Sequence, residues 1–383
     1  MDLCISDTKK NGKDFIREEI AVQKFIIKLF PLMMNNTKIK CLNDSKREQS
    51  RIEYIDVAKG ICILYIVFWH CVQFCIENYS HVFYIILSFV LPLFFVLSGM
   101  FISNLDKGFF SFVRKPLNRL LIPFLAFFLI TSVLLPLGSL IKKNVTDPMQ
   151  YLEVFGGWYL EKFPNLALWF LLCLFNCNLI FFAIYSISNK AKNNTIAILL
   201  FFSIVVGVIG VLLGINRINI PIFYDSAMTC IPYFCFGFFL RKYTNILSPN
   251  KYDKYNLFYC VILGFILFLI TNDFGVVGYM SNTIHENAFV IYASGLGGSL
   301  LILLLCKIVG NLPLLSYLGR YSIMILLVHY FMIPYIKKYI GYLLDNSVVL
   351  CLSTFIVTMV ICLSLIPFFC KYLPNITAQK NLI

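Results

Sequence analysis

Charge is what this chain has least of. Asp, Glu, Lys and Arg together make up 13% of the 383 residues, and the 19 carboxylates are outnumbered by 32 Lys and Arg. A soluble domain carries about a quarter charged residues, so this balance excludes one. No Cys-x-x-Cys pair occurs among the fourteen cysteines. That argues against a zinc site or a disulfide framework. Most of them, such as Cys62, Cys71, Cys75, Cys173 and Cys177, lie in apolar runs, where Cys acts as a small hydrophobe. There are only four histidines. Residues 54–214 do not recur in inverted order as 225–371, which counts against a secondary transporter. Gly295-x-Gly297-Gly298 follows no strand and lies in an apolar run, so it is not a nucleotide loop. The formal charge of +13 does not imply nucleic-acid binding, because Lys and Arg collect in the cytoplasmic loops of membrane proteins.

What is there in abundance is apolar surface. Hydrophobic residues reach 60%, with 38 Phe and 22 Tyr, and the mean hydropathy is +0.81. The fold class is all-α: a polytopic membrane protein of about ten transmembrane helices. They are predicted over 54–77, 82–104, 118–142, 167–187, 195–214, 225–242, 255–272, 287–309, 321–341 and 346–371. With the N-terminus inside, 25 Lys and Arg fall on the cytoplasmic side and six outside. An even helix number with both termini cytoplasmic follows. The chain thus divides into a basic arm (1–53), a membrane domain (54–371) and a cytoplasmic tail (372–383). The apolar run of the arm, 25–34, is broken by Lys28 and is too short for a signal peptide or a span. An amphipathic surface helix and a disordered basic arm both fit it, and Met33 and Met34 are plausible alternative starts.

The stretch Arg51–His70, RIEYIDVAKGICILYIVFWH, places three ionisable residues in the first helix. Lys59 and His70 are eleven residues apart. That is about three turns, so they share a face across roughly 16 Å of rise. Asp56 lies one turn before Lys59. Intramembrane ionisable groups are functional hypotheses by default. A boundary ion pair that snorkels and a histidine that bonds a neighbouring helix account for the same residues. Gln73, at i+3, is placed either to orient the imidazole or to join helices.

Lys59-x10-His70 on a first membrane helix resembles the acyltransferase 3 family of integral membrane O-acyltransferases. With Asp56 and Lys59-Gly60 it looks like the branch that acetylates sugars and polysaccharides. Later segments follow the family's order: PLFFVLSGMF at Pro92–Phe101, RKPLNRLLIP ending at Pro123, LWF at Leu168–Phe170, PYFCFGFFLRK at Pro232–Lys242 and LGRYSIMILLVH at Leu318–His329. The resemblance implies acetyl-CoA as acyl donor, no metal, and a carbohydrate acceptor on a lipid-linked or surface glycan. It makes His70 the base that takes a hydroxyl proton, or else the carrier of an acetyl group. Coenzyme A carries phosphates, so Lys59, Arg114, Lys115 and Arg119 become candidate donor contacts. The family's Arg-x-x-Arg pair is incomplete: Pro116 stands three residues before Arg119, where the first Arg belongs. Ser98-Gly99 would line the donor channel. Trp169 is either an interfacial aromatic or part of the acceptor site. His329, in Gly319-x-x-Ser322-x6-His329 just after Arg320, is expected to support the site, and His81 and His285 to be solvated. The alternative function is a transporter or channel for a small anion or glycolipid, with His70 as proton relay. The expected partners are membrane lipid, acyl-CoA and a carbohydrate, with no nucleic acid, in the plasma (inner) membrane.

Overall fold

The computed structural model describes residues 52–77, 82–141, 165–191, 194–244, 254–270, 277–284 and 287–382, and 52–383 form one compact unit. The basic arm to Arg51, most of the loop after residue 141, His81 and His285 lie outside the described residues. Each of the ten predicted segments is helical. In chain order the helices are α1 Glu53–Cys75, α2 Val82–Met100, α3 Phe109–Pro116, α4 Ile122–Ile141, α5 Trp169–Asn189, α6 Thr195–Ile215, α7 Tyr224–Tyr243, α8 Lys254–Ile270, α9 Ala288–Val309, α10 Pro313–Arg320, α11 Ser322–Ile340 and α12 Ser347–Tyr372. Seven spans among the described residues are long and apolar enough to cross a membrane. The protein is an all-α polytopic membrane protein.

Two additions to the predicted pattern are the short helices α3 and α10. Both start where the chain is punctuated, after Gly108 with φ +82° and at Pro313. A third is a two-stranded antiparallel hairpin, β1 Val277–Gly278 with β2 Thr283–Ile284, pairing Val277 with Ile284. The hairpin is tied to the bundle through Asn282. Its amide donates to the Gly210 carbonyl at 2.9 Å and accepts from the Thr229 hydroxyl at 2.8 Å.

In lipid, apolar burial gives little drive for helices to associate, so close backbone approach at small residues decides which helices touch. Two of the crossings built this way bear on the site. A Cβ on Gly60 of α1 would collide with the Leu315 backbone of α10, and one on Gly319 would collide with the Asp56 carbonyl. A Cβ on Gly99 of α2 would meet the Phe234 carbonyl of α7, and one on Gly237 the Val96 carbonyl. The first crossing brings α1 against α10 and α11; the second sets the carboxyl ends of α2 and α7 side by side. Helix α1 also packs on α2, α9 and α12, and is the central post of the bundle. By contrast α6 turns Phe201, Ile204, Val208 and Leu212 outward, as a lipid-facing helix does.

Pro116 shapes the entry to α4. It lacks an N–H, and the next turn widens into a π-helix, Leu117–Leu121, in which the Ile122 N–H reaches back to the Leu117 carbonyl. The Asn118 amide fills the gap by donating to the Arg114 carbonyl at 2.7 Å, and its oxygen accepts the Leu382 N–H at 2.6 Å. The segment after α12 is therefore fastened onto the turn that carries Arg119.

Candidate active site

The Gly60–Gly319 crossing governs the histidines. His70 follows Gly60 by ten residues (70 − 60), and His329 follows Gly319 by ten (329 − 319). Because the two glycines meet, the two imidazoles meet one helix length further along, on the order of 15 Å from the crossing. Their ring centroids are 5.4 Å apart, with planes inclined at 34°. Lys337 of α11 donates to the Phe74 carbonyl of α1 and holds the pair together beyond the rings.

Each ring is fixed through Nδ1. His70 Nδ1 bonds the Gln73 side-chain oxygen at 2.8 Å. His329 Nδ1 bonds the Ile325 carbonyl, one turn earlier in α11, at 2.9 Å. A carbonyl oxygen only accepts, so in the neutral imidazole the proton sits on Nδ1 and Nε2 carries a free lone pair. His70 is half-buried and Gln73 is exposed, whereas His329 is 0% exposed. The Nε2 of His329 is buried without a hydrogen-bond partner among the described residues. Tyr330 closes the other side of His70. Its ring stands edge-on at 4.9 Å and also touches Phe74 at 5.5 Å. This arrangement can accept a hydroxyl proton at His70 Nε2 while Nδ1–H stays anchored, as general-base catalysis needs.

A second cluster forms at the amino end of α1, around the carboxyl end of α2. Asp56 pairs with Lys59 at 3.5 Å, and the Lys59 ammonium lies 5.8 Å from the centre of the Phe101 ring. Lys115 of α3 donates to the Phe101 carbonyl at 2.7 Å and to the Ser103 hydroxyl at 3.0 Å. Arg241 of α7 donates to the Met100 carbonyl at 3.0 Å. Burial, with Arg119 and Arg241 nearby, lowers the Lys115 ammonium to about 8. Ser98 is half-buried beside the Gly99 crossing. Arg114 and Arg119 are exposed. Arg320, one residue past Gly319, has its Nε buried without a partner among the described residues.

The structure thus brings together Lys59, Asp56 and Lys115 at one end, and His70, Gln73 and His329 deeper in. Trp169 belongs to neither group. It is buried in the bundle against Phe170 and Phe223, both at 6.0 Å, and is not a lipid-facing belt aromatic. Two neighbours were missed by sequence reasoning. Tyr330 is adjacent to His329 but has no motif of its own. Arg241 was absorbed into the charge asymmetry that orients the chain.

Residues 52–366, from α1 into α12, match the sequence profile of the acyltransferase 3 family, described as an acyltransferase domain. The chain belongs to this family. No curated protein and no solved structure matches it. The match takes in both clusters of this acyltransferase, the histidine pair and the basic end of α1.

Proposed function

We propose that this membrane acyltransferase moves an acetyl group from acetyl-CoA to a carbohydrate hydroxyl. The observation that carries the reading is His70, half-buried and fixed at Nδ1, with no bond at Nε2 among the described residues, about three helical turns from a basic cluster. In this reading coenzyme A approaches from the cytoplasm and its phosphates rest among Lys59, Lys115 and Arg119. The thioester extends along α1, past Ser98, to His70. The acceptor hydroxyl gives its proton to His70 Nε2 as its oxygen attacks the thioester carbonyl. The tetrahedral intermediate collapses by breaking the C–S bond, and the coenzyme A thiolate takes the proton from the imidazolium. The products are an O-acetyl ester and coenzyme A, and His70 returns to its neutral form. Gln73 holds the ring, and His329 and Tyr330 wall it in. No step requires a metal.

The acceptor is a lipid-linked or nascent surface glycan, and the protein resides in the plasma (inner) membrane with both termini cytoplasmic. The decisive test is transfer of labelled acetyl groups from acetyl-CoA by purified protein in nanodiscs, with and without cell-envelope glycans. Labelled glycan ester is the expected product, matched by loss of glycan O-acetyl groups in cells lacking the protein. Glycan movement across the bilayer without acetylation would sink the reading in favour of transport. Orientation is checked separately: a cysteine replacing Lys380 should resist impermeant thiol reagents in intact cells, and efficient labelling there would reverse the assignment.

A further inference from the structure

The family's Arg-x-x-Arg pair is broken in this chain by Pro116, yet the structure does not leave that place short of cations. The Gly99–Gly237 crossing lays the carboxyl end of α7 beside that of α2, which puts Arg241 on the Met100 carbonyl. Lys115, turned back on α3, takes the next carbonyl, Phe101, and the Ser103 hydroxyl. Two cations from distant parts of the chain therefore sit on successive carbonyls. Neither is in an ion pair among the described residues. A helix carboxyl end offers only about half a negative charge, which does not neutralise two. Both groups also keep donors in hand. A guanidinium has five N–H groups and an ammonium three, against one bond made by Arg241 and two by Lys115. Arg241 is exposed and reachable from solvent. Paired cations with spare donors and no carboxylate suit a phosphate, which a guanidinium fork grips with two bonds.

Resting on the donor assigned above, we propose that Arg241 and Lys115 form a phosphate clamp at the carboxyl end of α2, which grips a phosphate of the acyl-CoA. Arg241 supplies, from α7, the cation that Pro116 removes from the loop. The clamp is a binding device: it sets affinity for the phosphorylated donor and leaves the acyl chemistry at His70 untouched.

The test is binding of coenzyme A and of pantetheine, which lacks the phosphates, to purified full-length protein in neutral detergent. R241Q should weaken coenzyme A about tenfold or more, the scale of a lost charged hydrogen bond, and leave pantetheine unchanged. K115Q should do the same to a smaller extent. R241K keeps one charge and the carbonyl bond, so it remains foldable if R241Q is not, and should weaken coenzyme A about three- to tenfold. Unchanged coenzyme A affinity in R241Q and R241K, with only the melting temperature lowered, would reduce Arg241 to a helix cap and overturn the clamp. Equal weakening of coenzyme A and pantetheine would overturn it too. A phospholipid headgroup has the same chemistry, so the proteins are also compared in phosphatidylglycerol and phosphatidylcholine nanodiscs. If Arg241 governs retention of phosphatidylglycerol and not coenzyme A affinity, the clamp belongs to lipid and the proposal fails. Wild-type protein that binds no coenzyme A would remove the donor assignment along with the clamp. Wild-type binding that is insensitive to Arg241 would remove the clamp alone.

Discussion

Helix α1 and the broken path α10–α11 repeat one spacing, a glycine at the crossing and a histidine ten residues on, but they treat the ring differently. On α1 the imidazole is half-buried and tethered by Gln73, a side chain that is itself exposed. On α11 the imidazole is fully buried and tethered to a backbone carbonyl of its own helix. A side-chain tether can follow the ring as it takes and gives a proton. A backbone carbonyl is already held within the helix and keeps the ring where it is. Matching position along a helix therefore does not mean matching role. Under the proposed function the reachable ring does the chemistry, and the buried ring defines the space in which it is done.

The sharpest way to break this comparison is to remove each ring. His70→Ala should reduce acetyl transfer by at least ~100-fold, the usual scale for a general base, with normal insertion. His70→Gln should be as inactive, because an amide has no titrating nitrogen. Activity is read as label transferred to glycan per mole of folded protein. Turnover near that of the wild type in either variant would remove His70 from the mechanism.

Next in size comes the crossing that sets both rings. Gly319→Ala places a methyl group against the Asp56 carbonyl of α1. Overpacking of this kind costs about 1–3 kcal/mol. It should lower the unfolding midpoint and also depress activity, since any shift at the glycines is carried to the rings. Gly264→Ala is the control, because among the described residues no heavy atom outside its own stretch of helix lies within 4 Å of the added carbon. If Gly319→Ala is stable and fully active, the spacing has no part in positioning the histidines.

His329→Ala should have a smaller effect, about tenfold on activity, because it removes a wall and not the base. The two substitutions should also be coupled. Residues in contact commonly show interaction energies of about 0.5 kcal/mol or more. A double variant whose losses simply add would mean that the ring contact has no functional meaning.

The unequal legibility of these features has physical causes. Ten helices were readable because lipid-facing segments must be continuously apolar. The His70–Gln73 bond was readable because i and i+3 share a helix face. The approach of His329 was not, since it depends on which helices pack together, and their sequence separation is 259 residues (329 − 70). The equal Gly-to-His spacing is the one trace of that pairing in the sequence. The hairpin at Val277–Ile284 left no trace, because two residues per strand are too few for an alternating pattern. Arg241 was hidden because a cation at a helix end is what topology alone also requires. The π-turn was half visible: Pro116 announces a disturbed helix but not its form.

Lys59 gives the smallest expected effect and tests the far end of α1 against the near one. Its ammonium is 3.5 Å from the Asp56 carboxylate, and its side chain is 29% exposed. A pair that open contributes little to stability, about 0–1 kcal/mol. Lys59→Ala should then leave protein abundance nearly unchanged and weaken acetyl-CoA binding a few-fold, with Lys59→Arg partly tolerated because the charge remains. The competing expectation is structural. Asp56 is only 9% exposed as a residue, and losing its partner would leave a carboxylate stranded at the membrane boundary. In that case Lys59→Ala should lower abundance, and Asp56→Asn should restore it in the double variant. Acetyl-CoA affinity and membrane abundance for the two single variants and the double separate the outcomes. Weakened affinity at normal abundance would make α1 a helix with a binding end and a reacting end. Rescued abundance with unchanged affinity would leave His70 as its one functional residue and shift donor recognition to Lys115 and Arg241.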